Sequence, residues 1–175
     1  MVPVLDTERL VLRGHQTDDH AACSALWGHP DVTRYIGGRP STPEEVWSRI
    51  LRYSGHWQLL GFGYFAVIEK QSGQLIGEAG LADFRRDLDP GLDVPEAGWV
   101  FDPAWQGRGL AQEAMKAVLA WAAAKAMDRS ACLIDPENAP SLALAARLGF
   151  GSTEKRACHG RTSLVLWRDG SVRGP

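Results

Sequence analysis

Between Gly98 and Met127 the chain passes from an apolar strand pattern (Gly98–Phe101), through a turn holding Gly107 and Gly109, into a long Ala-rich helical pattern. A strand, a glycine turn and a helix start in immediate succession leave few ways to fold. The N–H groups of a first helical turn have no partner inside the helix, and the macrodipole places partial positive charge there. Glycines at 107 and 109 remove the Cβ atoms that would keep an anion away from that backbone. The segment therefore predicts a main-chain site for a phosphorylated small molecule; its other reading is a glycine turn that merely precedes a helix.

The familiar nucleotide loops do not fit. No run matches Gly, four residues, then Gly-Lys-Ser/Thr, and a G-x-G-x-x-G fingerprint fails because Gln112 stands three residues after Gly109. A net charge of −2 with no basic run gives no reason to expect nucleic acid. Cys23, Cys132 and Cys158 are too far apart for a disulfide ladder, which points to a reducing cytoplasm, with Cys132 a small core residue. The five histidines (His15, His20, His29, His56, His159) have no metal-ligand spacing, so no metal is expected. Met1–Asp6 lacks a cationic start followed by an apolar run, so no secretion signal is expected. The apolar stretch Ala117–Met127 is broken by Lys125 and falls short of the ~20 residues a membrane span needs.

Pattern reading gives a strand at 9–13, a helix at 18–27 and a helix from Ser41, where Thr42 caps and Pro43 suits the first position. Val46, Trp47, Ile50, Leu51 and Trp57 form the apolar stripe of that helix. A strand at 64–70, a turn at 71–74 and a strand at 75–84 follow, then a polar loop at 85–94. The central strand Glu96–Phe101 leads through the glycine turn to the longest helix, 109–127. Further elements are a strand at 130–134, a helix at 140–148 and strands near 150–157 and 161–168; residues 169–175 read as a frayed tail. Trp47, Trp57 and Trp121 are assigned to the core and Trp105 to a pocket rim. The order predicts an α+β fold: one domain over residues 1–168, with a mixed, mostly antiparallel sheet of about seven strands between about four helices.

Four segments in order carry a resemblance. Gln106-x-x-Gly109-x-Ala111 resembles the Q/R-x-x-G-x-G/A loop of the GNAT acetyltransferase superfamily, and Glu96-Ala97-Gly98-Trp99 through Pro103 its E-x-G-Y/W-x-x-x-P strand. Pro136-Glu137-Asn138 to Ser141, with Leu148-Gly149-Phe150, is similar to its P-E-N-x-x-S and L-G-F segments. Thr7-Glu8-Arg9-Leu10-Val11-Leu12-Arg13 resembles the opening of the ribosomal-protein N-terminal acetyltransferase branch. The resemblance implies a three-layer fold in which the central strand splays from the strand at Ser130, leaving a slot for the pantetheine of acetyl-CoA. It implies that Gln106, Gly107, Arg108, Gly109, Leu110 and Ala111 hold the pyrophosphate, although Arg108 also suits a solvent-facing role. Trp99, Val100 and Phe101 would run beside the pantetheine, with a main-chain N–H near Val100 or Phe101 facing the thioester oxygen. Asn138 would bond the pantetheine amides or fix the turn. The segments 29–38 and 83–94 would build the acceptor pocket; a homodimer is left open.

The implied activity is transfer of acetyl from acetyl-CoA to a primary amine, on a protein N-terminus or a small molecule, in a ternary complex. An α-amino group has a pKa of about 7.7–8.0 and a lysine about 10.4, so neutralising them at pH 7 costs about 1 and about 4.6 kcal/mol. A carboxylate base is expected. Glu96 matches the family position and is the candidate, with a solvated strand-end carboxylate as its other reading; Glu78, inside an apolar strand, is the reserve. Many members place a Tyr seven residues after the Asn, where this chain has Ala145. Ser141 matches the serine of the ribosomal-protein branch and is the candidate for protonating the thiolate, or else a helix-start hydroxyl. A non-catalytic acyl-CoA sensor is the alternative, and transfer of a longer acyl group a third reading.

Overall fold

The computed structural model describes residues 1–158 and 160–170. Its strands are β1 (Leu5–Asp6), β2 (Leu10–Arg13), β3 (Tyr64–Glu69), β4 (Leu75–Ala82), β5 (Glu96–Phe101), β6 (Ser130–Ile134), β7 (Ser152–Cys158) and β8 (Arg161–Arg168). They form one sheet in the order β1-β2-β3-β4-β5-β6-β8-β7, antiparallel throughout except for β5 beside β6. The helices are α1 (His20–Gly28), α2 (Pro30–Thr33), α3 (Pro43–Leu60), α4 (Leu110–Ala124) and α5 (Ala139–Arg147). The α+β architecture is thus as the element order predicts. The elements beyond that count, β1 and α2, are two and four residues long. Nothing that short produces a periodic pattern.

Leu110, Ala114, Met115, Val118 and Ala122 of α4 lie on one face of the helix and pack against Leu10, Leu12, Phe65, Val67, Ile76 and Ala97 of the sheet. Leu144, Ala145 and Leu148 extend the same core. The opposite sheet face is covered by α1 and α3, where Cys23, Trp27, Val46 and Ile50 meet Val100.

Two expectations about these helices fail. The longest helix is α3, at 18 residues, not α4, at 15. Helix α4 stops at Ala124 because Ala126 adopts φ +59° and the Met127 N–H returns to the Ala122 carbonyl (3.0 Å), turning the chain toward β6. The buried stripe of α3 is Val46, Ile50, Tyr53 and His56, whereas Trp47 and Leu51 are 36% and 52% exposed. An apolar count alone rotates the face, because Tyr53 donates its hydroxyl to Glu78 and His56 bonds through Nε2 to the Asp83 carbonyl, which lets both rings be buried. Trp47 packs edge-on against His20 at 5.6 Å instead. Trp57 and Trp121 do join the core, 5.4 Å apart.

The feature that positions the site is where β5 and β6 part. Strand β5 pairs with β4 over six register positions, and β6 with β8 over five, but β5 and β6 share one, Glu96 with Ala131. At that pairing the Ala131 N–H bonds to the Pro95 carbonyl at 3.1 Å, and beyond it the strands diverge. Among the described residues no helix is long and apolar enough to cross a membrane. Of the segment read as a tail, Asp169 accepts from Arg129 at 3.1 Å; residues 171–175, like His159, lie outside the described residues.

Candidate active site

Gly107 and Gly109 have φ of +73° and +77°, a backbone region that L side chains rarely adopt. Gly109 caps α4 with no side chain closing the first turn, so its N–H groups are open to a ligand. Gln106 turns inward and donates Nε2 to the Phe101 carbonyl at 2.9 Å, fastening the turn to the end of β5. The amino-terminal segment braces it from behind. Thr7 Oγ1 and the Arg9 N–H donate to Glu113 Oε1 at 2.6 and 2.8 Å, Arg9 Nε donates to Glu113 Oε2 at 2.7 Å, and Arg9 Nη1 donates to the Arg108 carbonyl at 3.0 Å. Gln106, Gly107, Gly109, Leu110 and Ala111 border a cavity of about 620 Å³. The Arg108 side chain does not: its guanidinium lies over the Trp105 ring at 4.9 Å, and Trp105 itself is on the cavity wall.

The cavity runs along the free edge of β5. The Asp102 N–H bonds to Ile76 of β4, whereas the Pro95 and Phe101 carbonyls point the other way, to Ala131 and Gln106. Backbone direction alternates along a strand. The amides of Trp99 and Phe101 therefore face the slot, while that of Val100 faces β4. Of the two amides expected near the thioester, register supports Phe101 and not Val100; the Val100 side chain still lines the wall.

A larger cavity, about 830 Å³, joins the first, with Tyr35, Trp99, Val100, Asn138 and Ser141 lining both. Its walls include Ile36 and Gly37 from the segment 29–38, and Phe84 to Asp87 from the loop after β4. Glu96 lies in this cavity but is not a solvated strand-end group. It is 6% exposed and receives Arg86 Nε and Nη2 at 2.6 and 2.7 Å. Burial works against the Arg86 charge, but the Glu96 partner outweighs it and raises the guanidinium pKa. Gly98 allows Tyr64 to cross β5 at this point, since a Cβ there would sit 1.9 Å from the Tyr64 hydroxyl. Tyr64 stacks on Tyr53 at 4.8 Å.

Glu78 is closed off from both cavities. It has no exposure and accepts from Trp27 Nε1 (2.9 Å) and Tyr53 Oη (3.1 Å), with His15 Nε2 at 3.1 Å. Burial pushes its carboxyl up, yet the His15 contact, the Trp27 N–H and the Arg49 charge together hold it below the usual range. Tyr53 is driven the other way, by burial and by the Glu78 charge. His15, Cys23 and Glu78 bring donor atoms within 4.8 Å of one another, a grouping no sequence spacing reveals. The Glu78 oxygens are already engaged, and the cluster reads as a hydrogen-bonded network beneath the cavity floor.

At the junction, Asn138 Oδ1 accepts the Ser141 N–H at 3.2 Å, capping α5 and leaving its amide NH₂ for a ligand. Ala145 is fully buried in the core, so no hydroxyl is supplied from that turn. Tyr35, like Ser141, lines both cavities and adds a phenol to their shared wall. Cys132 also lines the larger cavity, but burial and then the Glu96 charge push its thiol pKa up, which keeps it protonated and a poor nucleophile. The sequence reading names the segments of Tyr35 and Arg86 but not these residues, and misses Arg49, Arg52 and Tyr53 of α3; only the fold brings the three segments to one wall.

A family model described as an acetyltransferase (GNAT) domain matches residues 9–151. A GnaT-family chain from Bordetella pertussis is 37% identical, with a TM-score of 0.82 over 95% of this chain and 99% of that one. The N-acetyltransferase p20 of Bacillus licheniformis, itself uncharacterised, is 26% identical over 151 residues, 83% of this chain and 81% of its own length. RimL, a ribosomal L7/L12 α-N-protein acetyltransferase solved with coenzyme A, shares the fold, with a TM-score of 0.76 at 14% identity over 95% of this chain and 98% of its own.

Proposed function

Because the chain belongs to the GNAT acetyltransferase family, we propose that it moves an acetyl group from acetyl-CoA to a primary amine, on a protein N-terminus or a small molecule, by direct transfer in a ternary complex. Residues 1–168 act as one domain in this reading. The observation that carries it is the parting of β5 and β6, which joins a cavity ending on the Gly107–Gly109 turn to one holding Glu96. Main-chain N–H groups from Gly107 to Ala111 bind the pyrophosphate, with Gln106 holding the turn in shape. Asn138 bonds the pantetheine, and Trp99 and Phe101 extend β-type pairing to it. The Phe101 N–H polarises the thioester carbonyl; removing a comparable donor costs about 2.7–4 kcal/mol in other enzymes.

Glu96 accepts the ammonium proton, directly or through water, with Arg86 fixing its position. The neutral amine attacks the thioester carbon, the C–S bond breaks, and the thiolate takes a proton from Ser141 or a water it holds; that proton is replaced by the one that the new amide nitrogen sheds. The protonated Cys132 supports transfer without an acyl-enzyme. Three buried free thiols support a reducing, cytoplasmic setting.

A sensor that binds acetyl-CoA without turnover is favoured by one pair of observations, the Arg86 grip on Glu96 and the Ala145 core position. Calorimetry with acetyl-CoA and thiol release with an amine panel separate the readings. Binding plus amine-dependent release is expected; binding without release from any amine supports the sensor, and no binding removes both.

A further inference from the structure

We propose that the acceptor carries an oxyanion, a carboxylate or phosphate, close to its amine, and that Arg49 and Arg52 receive it. This rests on the acetyltransferase reading above and specifies the substrate class of the same site. Both residues project from α3 and line the larger cavity. The other arginines on that wall have partners: Arg39 pairs with Glu45, Arg85 with Asp83 at 3.3 Å, and Arg86 with Glu96 at 2.6 Å. Among the described residues, neither Arg49 nor Arg52 makes an ion pair, although the Arg49 charge acts on the sealed Glu78 carboxylate.

Arg49 Nε is buried without a hydrogen-bond partner, which is costly for a charged group unless a ligand supplies one. Both guanidiniums rest on aromatic faces: Arg49 over Trp27 at 3.6 Å, and Arg52 over Phe84 at 4.9 Å and Tyr53 at 5.9 Å. Stacking engages the guanidinium face and leaves its in-plane N–H fork for a planar or tetrahedral oxyanion. The charges acting on Arg52 agree. Partial burial lowers its pKa, Tyr53 and Tyr64 oppose this, and the Arg49 and Arg86 charges lower it further. Asp87 also lines the cavity, on the loop after β4, and is exposed. Three cations thus share one wall with Glu96, which Arg86 already holds. An acceptor with its amine at Glu96 and its oxyanion at Arg49 and Arg52 matches that charge order.

The test uses the full chain with matched acceptors: tyrosine against tyramine, phosphoethanolamine against ethanolamine, and Ala-Glu amide against Ala-Gln amide. Thiol release from acetyl-CoA gives kcat/KM for each. The anionic member of at least one pair is expected to lead by about 10- to 100-fold, the worth of one or two charge-assisted hydrogen bonds. The pair that leads identifies a small carboxylate, a phosphate or an acidic N-terminus. Arg52→Met should cut the lead to less than about three-fold and Arg52→Lys should retain part of it. Arg52 is exposed, so both variants are expected to fold. Equal rates within every pair, or preference for the uncharged members, overturns the proposal.

Thermal shift with the same compounds and no cofactor reads the site without turnover. The anionic members should raise the wild-type Tm, and Arg52→Met should lose the rise. Loss of acetyl-CoA binding or of all thiol release defeats the acetyltransferase reading. The Tm series still decides the arginine assignment, and equal shifts for both members of every pair would overturn it.

Discussion

The two cavities that meet at Trp99 and Ser141 are built on different principles. The smaller one ends in a wall of backbone: a glycine turn, the open start of α4 and the free edge of β5, braced from behind by Thr7, Arg9 and Glu113. The larger one is a wall of charged and aromatic side chains from α3, the loop after β4, and β5. Backbone recognition suits a ligand whose phosphates are always the same, because it needs only a fixed chain path. Side-chain recognition suits a ligand that changes between relatives, because single substitutions retune it without moving the sheet. If this division holds, substitutions in one cavity should leave binding in the other intact.

The largest expected effect belongs to Glu96. Changing Glu96→Gln keeps a hydrogen-bonding group beside Arg86 but removes the base, and should lower kcat by about 10²- to 10⁴-fold. Acetyl-CoA affinity by calorimetry should stay within about two-fold, since the cofactor wall is untouched. A comparable loss of cofactor affinity would show that the two cavities are not separable. An unchanged kcat would pass the base role to another group. Glu78 is a poor heir, sealed beneath Tyr53 and Trp27.

Gly109→Val attacks the other side of the comparison. A branched residue forced to φ +77° costs about 1–2 kcal/mol or more, and its side chain stands over the open amides of α4. Acetyl-CoA binding should weaken by about 30-fold or more. The thermal shift produced by an anionic amine alone should persist, because Arg49 and Arg52 lie on another element. Loss of both signals would mean that the turn supports the whole slot rather than one end of it.

The same contrast explains what was legible in the sequence. The cofactor end is contiguous: Glu96 to Ala111 spells a strand, a turn and a helix start, so its order and its glycines can be read directly. The elements themselves were legible wherever period and caps agreed, as at Thr42-Pro43 with Glu45. The α3 face was misread because the buried Tyr53 and His56 are not apolar letters. The sequence leaves the Arg108 side chain open between the pyrophosphate and solvent, and the structure sets it over the ring of Trp105, three residues back. Arg49, Arg52 and Arg86 were invisible as a group, since only the fold brings α3 and the loop after β4 to one wall. Glu113 was missed for the same reason: its partners Thr7 and Arg9 lie more than a hundred residues away.

The smallest effect is the most discriminating, because it reaches the cofactor wall without touching it. Glu113 holds the turn only through Thr7 and Arg9, and Arg9 in turn holds the Arg108 carbonyl. Arg9 is 45% exposed, so solvent screens the pair, and Glu113→Gln should cost only about 0.5–1 kcal/mol, or two- to five-fold in acetyl-CoA affinity. The pH dependence identifies the cause. Burial raises the Glu113 pKa, but the Thr7 hydroxyl, the Arg9 N–H and the Arg9 guanidinium prevail, so the folded value lies below the ordinary 4.5. A depressed carboxyl stabilises the fold above its unfolded pKa and loses that contribution as pH falls through the folded value. The Tm gap between wild type and Glu113→Gln should therefore be full at pH 7 and shrink progressively below about pH 4.5. A gap that stays constant into acid would mean that the side chain braces the turn by packing and neutral hydrogen bonds, and the charge on Glu113 would drop out of the account of the cofactor wall.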